Sequence, residues 1–120
     1  MKSLNLALRF FLEIVTWSAP GLWAWHFFDG ASAYLFALLL PLLMISLWGI
    51  FNVPNDPSRG GKAPIVVPGK IRLVLELTEF SLGLWAWQAA GYPNFAWLIL
   101  ALLVLHHILL KDRLIWIWKA

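Results

Sequence analysis

The segment Arg9-Phe-Phe-Leu-Glu13 followed by Gly21-Leu-Trp-Ala-Trp25 recurs as Arg72-Leu-Val-Leu-Glu76 followed by Gly83-Leu-Trp-Ala-Trp87. This is a tandem duplication, so the fold of one unit is expected to be copied by the other. The charged pairs are offset by 63 residues and the Gly-Leu-Trp-Ala-Trp blocks by 62, so one residue was gained or lost between them. Charged residues make up only 12% of the chain and hydrophobic ones 62%, against about 25% charged in soluble domains.

Four apolar stretches, about 5–28, 32–51, 70–90 and 94–114, each approach the ~20 residues that a membrane span needs. The expected fold is therefore all-α: an integral membrane four-helix bundle built from two tandem parallel helical hairpins. Residues 1–120 form a single transmembrane domain in this reading, with repeat 1 at about 4–51, a cytoplasmic loop at 52–69 and repeat 2 at about 70–118. Because each repeat holds two spans, both copies run in the same direction, related by a pseudo-two-fold along the membrane normal. Residues 1–33 imitate a signal peptide, with Lys2, Arg9 and the small-residue run Ala31-Ser-Ala33. The apolar stretch is longer than the usual ~7–15 residues and its motif recurs at 72–87, so it reads as a retained span.

All nine Lys and Arg fall near the N-terminus, in the long loop or near the C-terminus, and the connections at about 29–31 and 91–94 hold none. The positive-inside rule then puts both termini and the loop in the cytoplasm of a bacterial inner membrane. The net charge of +3 reports orientation and attraction to anionic headgroups, and nucleic acid is not an expected partner. Cysteine is absent, which excludes disulfides, thiol catalysis and Cys-ligated metals.

The loop from Asn52 to Gly69 is rich in proline and glycine and reads as punctuation. Within it, Ser58-Arg-Gly-Gly-Lys62 offers backbone N–H groups and two cations to a phosphate, but it lacks the full GxxxxGK[ST] pattern. The Arg-xxx-Glu heading helix 1, the loop Val53-Pro-Asn-Asp-Pro-Ser-Arg-Gly-Gly-Lys-Ala-Pro64 and the following Pro68-Gly-x-x-Arg72-x-x-x-Glu76 resemble the YrdB-like family of small bacterial integral membrane proteins. The similarity extends over essentially the whole chain, and the loop is its most specific part. It implies a bacterial four-helix membrane protein of unassigned activity, with no catalytic residue to carry over.

Counted inward from Phe28 and Ala90, Arg9 and Arg72 reach the cytoplasmic interface, with Glu13 and Glu76 one turn, about 6 Å, deeper. Glu79, His106 and His107 fall at similar depth, so a bundle would gather Glu13, Glu76, Glu79 and one histidine into a polar cluster. Neighbours on a helix point about 100° apart, so only one of His106 and His107 faces inward. Arg and Glu at i,i+4 share a face, and helix equivalence also allows the crossed pairs Arg9–Glu76 and Arg72–Glu13. Such a ring fastens two repeats together, or it binds something. Glu79 has no matched arginine, its first-repeat counterpart being Thr16, which makes it the candidate for proton coupling or for a cationic ligand.

Trp17 lies one turn from Glu13 and is the candidate wall of an aromatic cage, whereas Gly21 and Gly83 are read as sites of close helix approach and Pro41 as a kink. A carboxylate-bridged metal site would want Glu-x-x-His twice, and the chain offers only Glu76-Leu-Thr-Glu79. No metal, cofactor or catalytic residue is expected. The leading functional reading is binding or transport of a small amphipathic or cationic molecule or lipid by Arg9, Glu13, Trp17, Arg72, Glu76, Glu79, His106 and His107. An accessory subunit of a larger membrane complex, or a homo-oligomer, is the alternative, and a haem or metal redox protein using His106, His107 or His26 comes third.

Overall fold

The tripeptide Gly91-Tyr92-Pro93 sets one hairpin by local chemistry alone. Gly91 adopts φ +98°, a conformation open to glycine, and its N–H donates to Gln88 O at 3.0 Å while Tyr92 N–H donates to Trp87 O at 3.0 Å. This is a Schellman termination, completed by edge-on packing of Tyr92 against Trp87 with ring centroids 5.9 Å apart. Pro93 then opens the next helix where its missing N–H costs nothing.

The computed structural model describes residues 3–59 and 62–120. It is all-α, with helices α1 (Ser3–Phe27), α2 (Gly30–Ile50), α3 (Gly69–Ala89), α4 (Pro93–Leu109) and α5 (Lys111–Lys119). Two-residue strands β1 (Phe51–Asn52) and β2 (Ile65–Val66) pair in parallel and pinch the base of the long loop. Lys2, Gly60 and Gly61 lie outside the described residues, so the structure does not describe the two glycines on which the expected phosphate nest depends. Of the expected nest's other donors, the Ser58 N–H and hydroxyl both go to Asp56 Oδ1 at 2.8 Å.

The fourth helix was expected to run on to about residue 114. Instead the helix breaks after Leu109, and α5 turns away by 72°. Neither proline nor glycine stands at Leu110, so the break has no local signal; it carries Arg113 sideways to a buried carboxylate pair described below.

Leu12 and Val15 of α1, Trp48 of α2, Phe80 of α3 and Ile99 and Leu103 of α4 form the apolar core. Helix approach is set by the two motif glycines, which are used differently. A Cβ on Gly21 would lie 2.7 Å from Ala37 O and 2.9 Å from Pro41 Cγ, both on α2. Ala37 O is the carbonyl that Pro41 deprives of its helical donor, so the glycine C–H is aimed at the freed acceptor. A Cβ on Gly83 would instead lie 2.9 Å from Thr16 Cγ2 on α1. The equivalent tryptophans Trp23 and Trp85 meet with centroids 5.3 Å apart.

Among the described residues α2 is by itself long and apolar enough to cross a membrane, and α4 with α5 qualifies only as a bent pair. Helices α1 and α3 are long but carry ionisable residues: Arg9, Glu13 and His26 on the first, Lys70, Arg72, Glu76 and Glu79 on the second.

Candidate functional site

Glu76 is the hub of the charged cluster, fully buried and in contact with three arginines from three helices. Its Oε2 accepts from Arg72 Nε at 2.7 Å, one turn away on α3. Arg9 Nη2 of α1 reaches the same oxygen at 2.9 Å. Arg113 of α5 lies across both oxygens, with Nη1 to Oε1 at 2.7 Å and Nη2 to Oε2 at 2.9 Å. Such two-toothed contact is what the planar guanidinium is shaped for.

Arg113 also binds Asp56 of the loop, Nη2 to Oδ2 at 2.6 Å and Nε to Oδ1 at 3.3 Å. Burial alone would raise the Asp56 carboxyl, but the hydrogen bonds and charge of Arg113, with the two Ser58 donors, hold it below its ordinary value of 3.8. Asp56 thus ties the Asn-Asp-Pro-Ser turn to α5, and through Arg113 to α3. Arg72 Nη1 meanwhile donates to Trp48 O at 2.6 Å and Phe51 O at 2.8 Å. These carbonyls belong to the open C-terminal end of α2, where cations are favoured. Arg59 adds a third hydrogen bond there, Nη1 to Trp48 O at 3.1 Å.

Trp48 lies beneath this cluster. The Arg72 guanidinium lies 4.7 Å and the Arg9 guanidinium 5.6 Å from its ring centroid, and Trp17 meets it edge-on at 5.8 Å. The cations over this aromatic surface are the protein's own arginines.

The expected ring of crossed pairs is only half present. Arg9 crosses to Glu76, but Arg72 makes no ion pair with Glu13 among the described residues; Glu13 is left with Arg9 Nε at 3.3 Å and a side chain 15% exposed. Helical geometry gives the reason. Glu76 and Gly83 are seven residues apart, two turns, and share the face that meets α1, whereas Glu13 and Gly21 are eight apart. The extra residue turns Gly21 about 100° further round, toward α2.

Two of the residues singled out from the sequence are buried without a protein partner. Glu79 is 3% exposed and neither carboxyl oxygen makes a hydrogen bond; Trp17 Nε1 bears on it but falls short of bonding geometry. His106 is 0% exposed with both ring nitrogens unpartnered, so it is the inward-facing histidine. His107 points between α3 and α4, its Nδ1–H donating to Leu103 O at 2.8 Å within its own helix. His26 is exposed at the far end of α1. Among the described residues no three His, Asp or Glu converge as a metal ion would require. Sequence reasoning passed over Asp56, Arg113 and Trp48. Asp56 carried a readable sign, an Asx-type turn in Asn-Asp-Pro-Ser; Arg113, in Lys-Asp-Arg, carried none.

A family model described as a protein of unknown function, DUF2568, matches residues 7–104. The chain belongs to that family. The match takes in α1, α2, the loop, α3 and most of α4, and so every member of the cluster except His106, His107 and Arg113. The chain is also 37% identical over 117 residues, 98% of its length and 95% of the relative's, to the uncharacterized protein YrdB of Bacillus subtilis (strain 168). No solved structure matches it. The family is thus a YrdB-like one of unassigned function, as the loop and Arg-xxx-Glu motifs indicated.

Proposed function

We propose that the chain is a multi-pass protein of the bacterial cytoplasmic membrane that binds a small amphipathic or cationic molecule or lipid beside its Arg/Glu/His cluster. Helices α1, α2 and α3 would each cross the bilayer, and α4 with α5 would make the fourth crossing, with both termini cytoplasmic. The outward surfaces support this. Helix α2 is the most apolar element, yet only 17% of its most apolar window is buried, the reverse of a soluble core helix. On α1 and α3 the charges of Arg9, Arg72, Glu76 and Glu79 turn inward while Phe10, Phe11, Ile14, Ile71, Val74 and Leu82 face out. Exposed Trp25, Trp85 and Trp97 sit at the end opposite the lysines, as an interfacial belt would.

The observation that carries the binding reading is the pair of buried, unpartnered polar groups, Glu79 and His106. Buried polar atoms are as a rule hydrogen-bonded, so unused capacity beside the ionic network is where a ligand's polar atoms would be received. The test is a thermal-shift screen of wild type and Glu79→Gln against quaternary amines, quinones and lipids over about pH 5–9. A bound ligand stabilises by mass action; a concentration-dependent shift seen in wild type and lost in the variant is the expected result. Identical responses across the panel would remove the Glu79 site.

The second reading, an accessory subunit, is favoured by the hub itself. Glu76 spends both oxygens on three arginines, which fastens α1, α3 and α5 without calling for any ligand. Co-purification of a larger complex from native membranes, with no ligand response, is the outcome that reading expects.

A further inference from the structure

The two helical hairpins are packed to different depths. Gly21 brings α1 against α2 at backbone distance, whereas α3, α4 and the diverging α5 leave an open apolar groove between them. Two adjoining cavities of about 530 Å³ each share Leu77, His107 and Leu114. Along α3 the groove runs from Leu73 to Leu84, about 16 Å at helical rise. One leaflet of a ~30 Å hydrocarbon core has that depth.

Its walls are mostly apolar, and its charged side chains are Lys111 and Lys119. Lys111 lines the first cavity and Lys119 the second. Both are exposed, and neither pairs with a carboxylate among the described residues. Lys70 stands at the same end, its ammonium 4.8 Å from the Trp118 ring. One turn further in, His107 faces both cavities.

We infer that this groove is a binding site for an anionic phospholipid of the cytoplasmic leaflet. One acyl chain lies along Leu77 and Leu84, and the phosphate meets Lys111 and Lys119. The charge pattern selects the occupant: an apolar slot one leaflet deep, closed by unpaired cations, complements a single chain ending in a negative headgroup. The site rests on the membrane reading above but is separate from Glu79 and His106.

The experiment is native mass spectrometry of the full chain, extracted from membranes in detergent. It is offered equal amounts of a glycerol-headgroup and a choline-headgroup phospholipid with identical chains, and separately inorganic phosphate. Two surface lysines contribute roughly 1 kcal/mol each, so wild type should prefer the anionic lipid by about 30-fold. Lys111→Gln/Lys119→Gln should reduce that to under about threefold. Val104→Trp, at a wall position 53% exposed and so tolerant of bulk, should lower lipid occupancy without touching the cations. Glu79→Gln should leave the preference unchanged, which separates this site from the one proposed above. Equal uptake of the two lipids by folded wild type overturns the inference, as does tight binding of inorganic phosphate alone, which would mark a headgroup site with no role for the groove. Recovery of the chain from the soluble fraction without detergent would overturn the membrane reading and this site together.

Discussion

The Arg-xxx-Glu of α1 and that of α3 are the same motif at equivalent places, yet they do different work. Glu76 is sealed in with three arginines, while Glu13 holds one at 3.3 Å and keeps contact with solvent. Arg72 is spent on the carbonyl end of α2, and Arg9 on the other repeat's glutamate. The sequence carries two copies of a charged pair, but their energetic weight is set by what else reaches them. Asp56 and Arg113 exist only once; at the motif's offset of 63, the position matching Arg113 is Ile50.

The two motifs differ most in energy at their glutamates. Glu76→Gln leaves three buried guanidiniums without their shared counter-charge and should destabilise by about 3–5 kcal/mol, the usual cost of stripping one partner from a buried pair. Glu13→Gln, losing one partly exposed pair, should cost under about 1 kcal/mol. Reversible unfolding in detergent measures both, and equal losses would mean that the two motifs are energetically equivalent after all.

Next in size is the clamp that only the second motif possesses. Asp56→Asn should cost about 1.5–3 kcal/mol, the scale of a hydrogen bond to a charged group. Its pH dependence has a definite sign. The folded Asp56 carboxyl is held below 3.8, so its stabilisation is complete above the unfolded value and is lost as pH falls through the folded one. Wild type should show this acid limb and Asp56→Asn should lack it; parallel stability–pH curves for the two would remove Asp56 from the clamp.

The glycines sharpen the same contrast at smaller scale. Gly21→Ala drives a methyl into Ala37 O and the Pro41 ring, while Gly83→Ala meets Thr16, its Cγ2 at 2.9 Å and its backbone Cα and O at 3.1 and 3.2 Å. Each should cost about 1–3 kcal/mol. Thr16→Ser should partly rescue Gly83→Ala and leave Gly21→Ala untouched, which a double-mutant cycle reads directly. Smallest of all, Glu79→Gln should change unfolding by under about 1 kcal/mol, because the carboxyl has no protein partner to lose. A larger loss would place Glu79 in the structural network beside Glu76.

What the sequence determined by itself is everything that repeats within a few residues. The helices, the Gly91-Tyr92-Pro93 turn, the shared face of each Arg and Glu four apart, the inward histidine being one of two, and the gathering of Glu76 with Glu79 all follow from helical pitch and turn chemistry. Even the different uses of Gly21 and Gly83 are written in a spacing of eight against seven, though their partners are not. Only the tertiary structure decided that helix four breaks at Leu110, that Arg113 reaches Asp56 across 57 residues of chain, and that Glu76 rather than Glu13 becomes the hub. Helical periodicity fixes which face a side chain is on, because that depends on neighbours one turn away. It cannot fix what that face will meet, because the meeting is settled by the competition of every buried charge for a limited set of partners once the helices are packed.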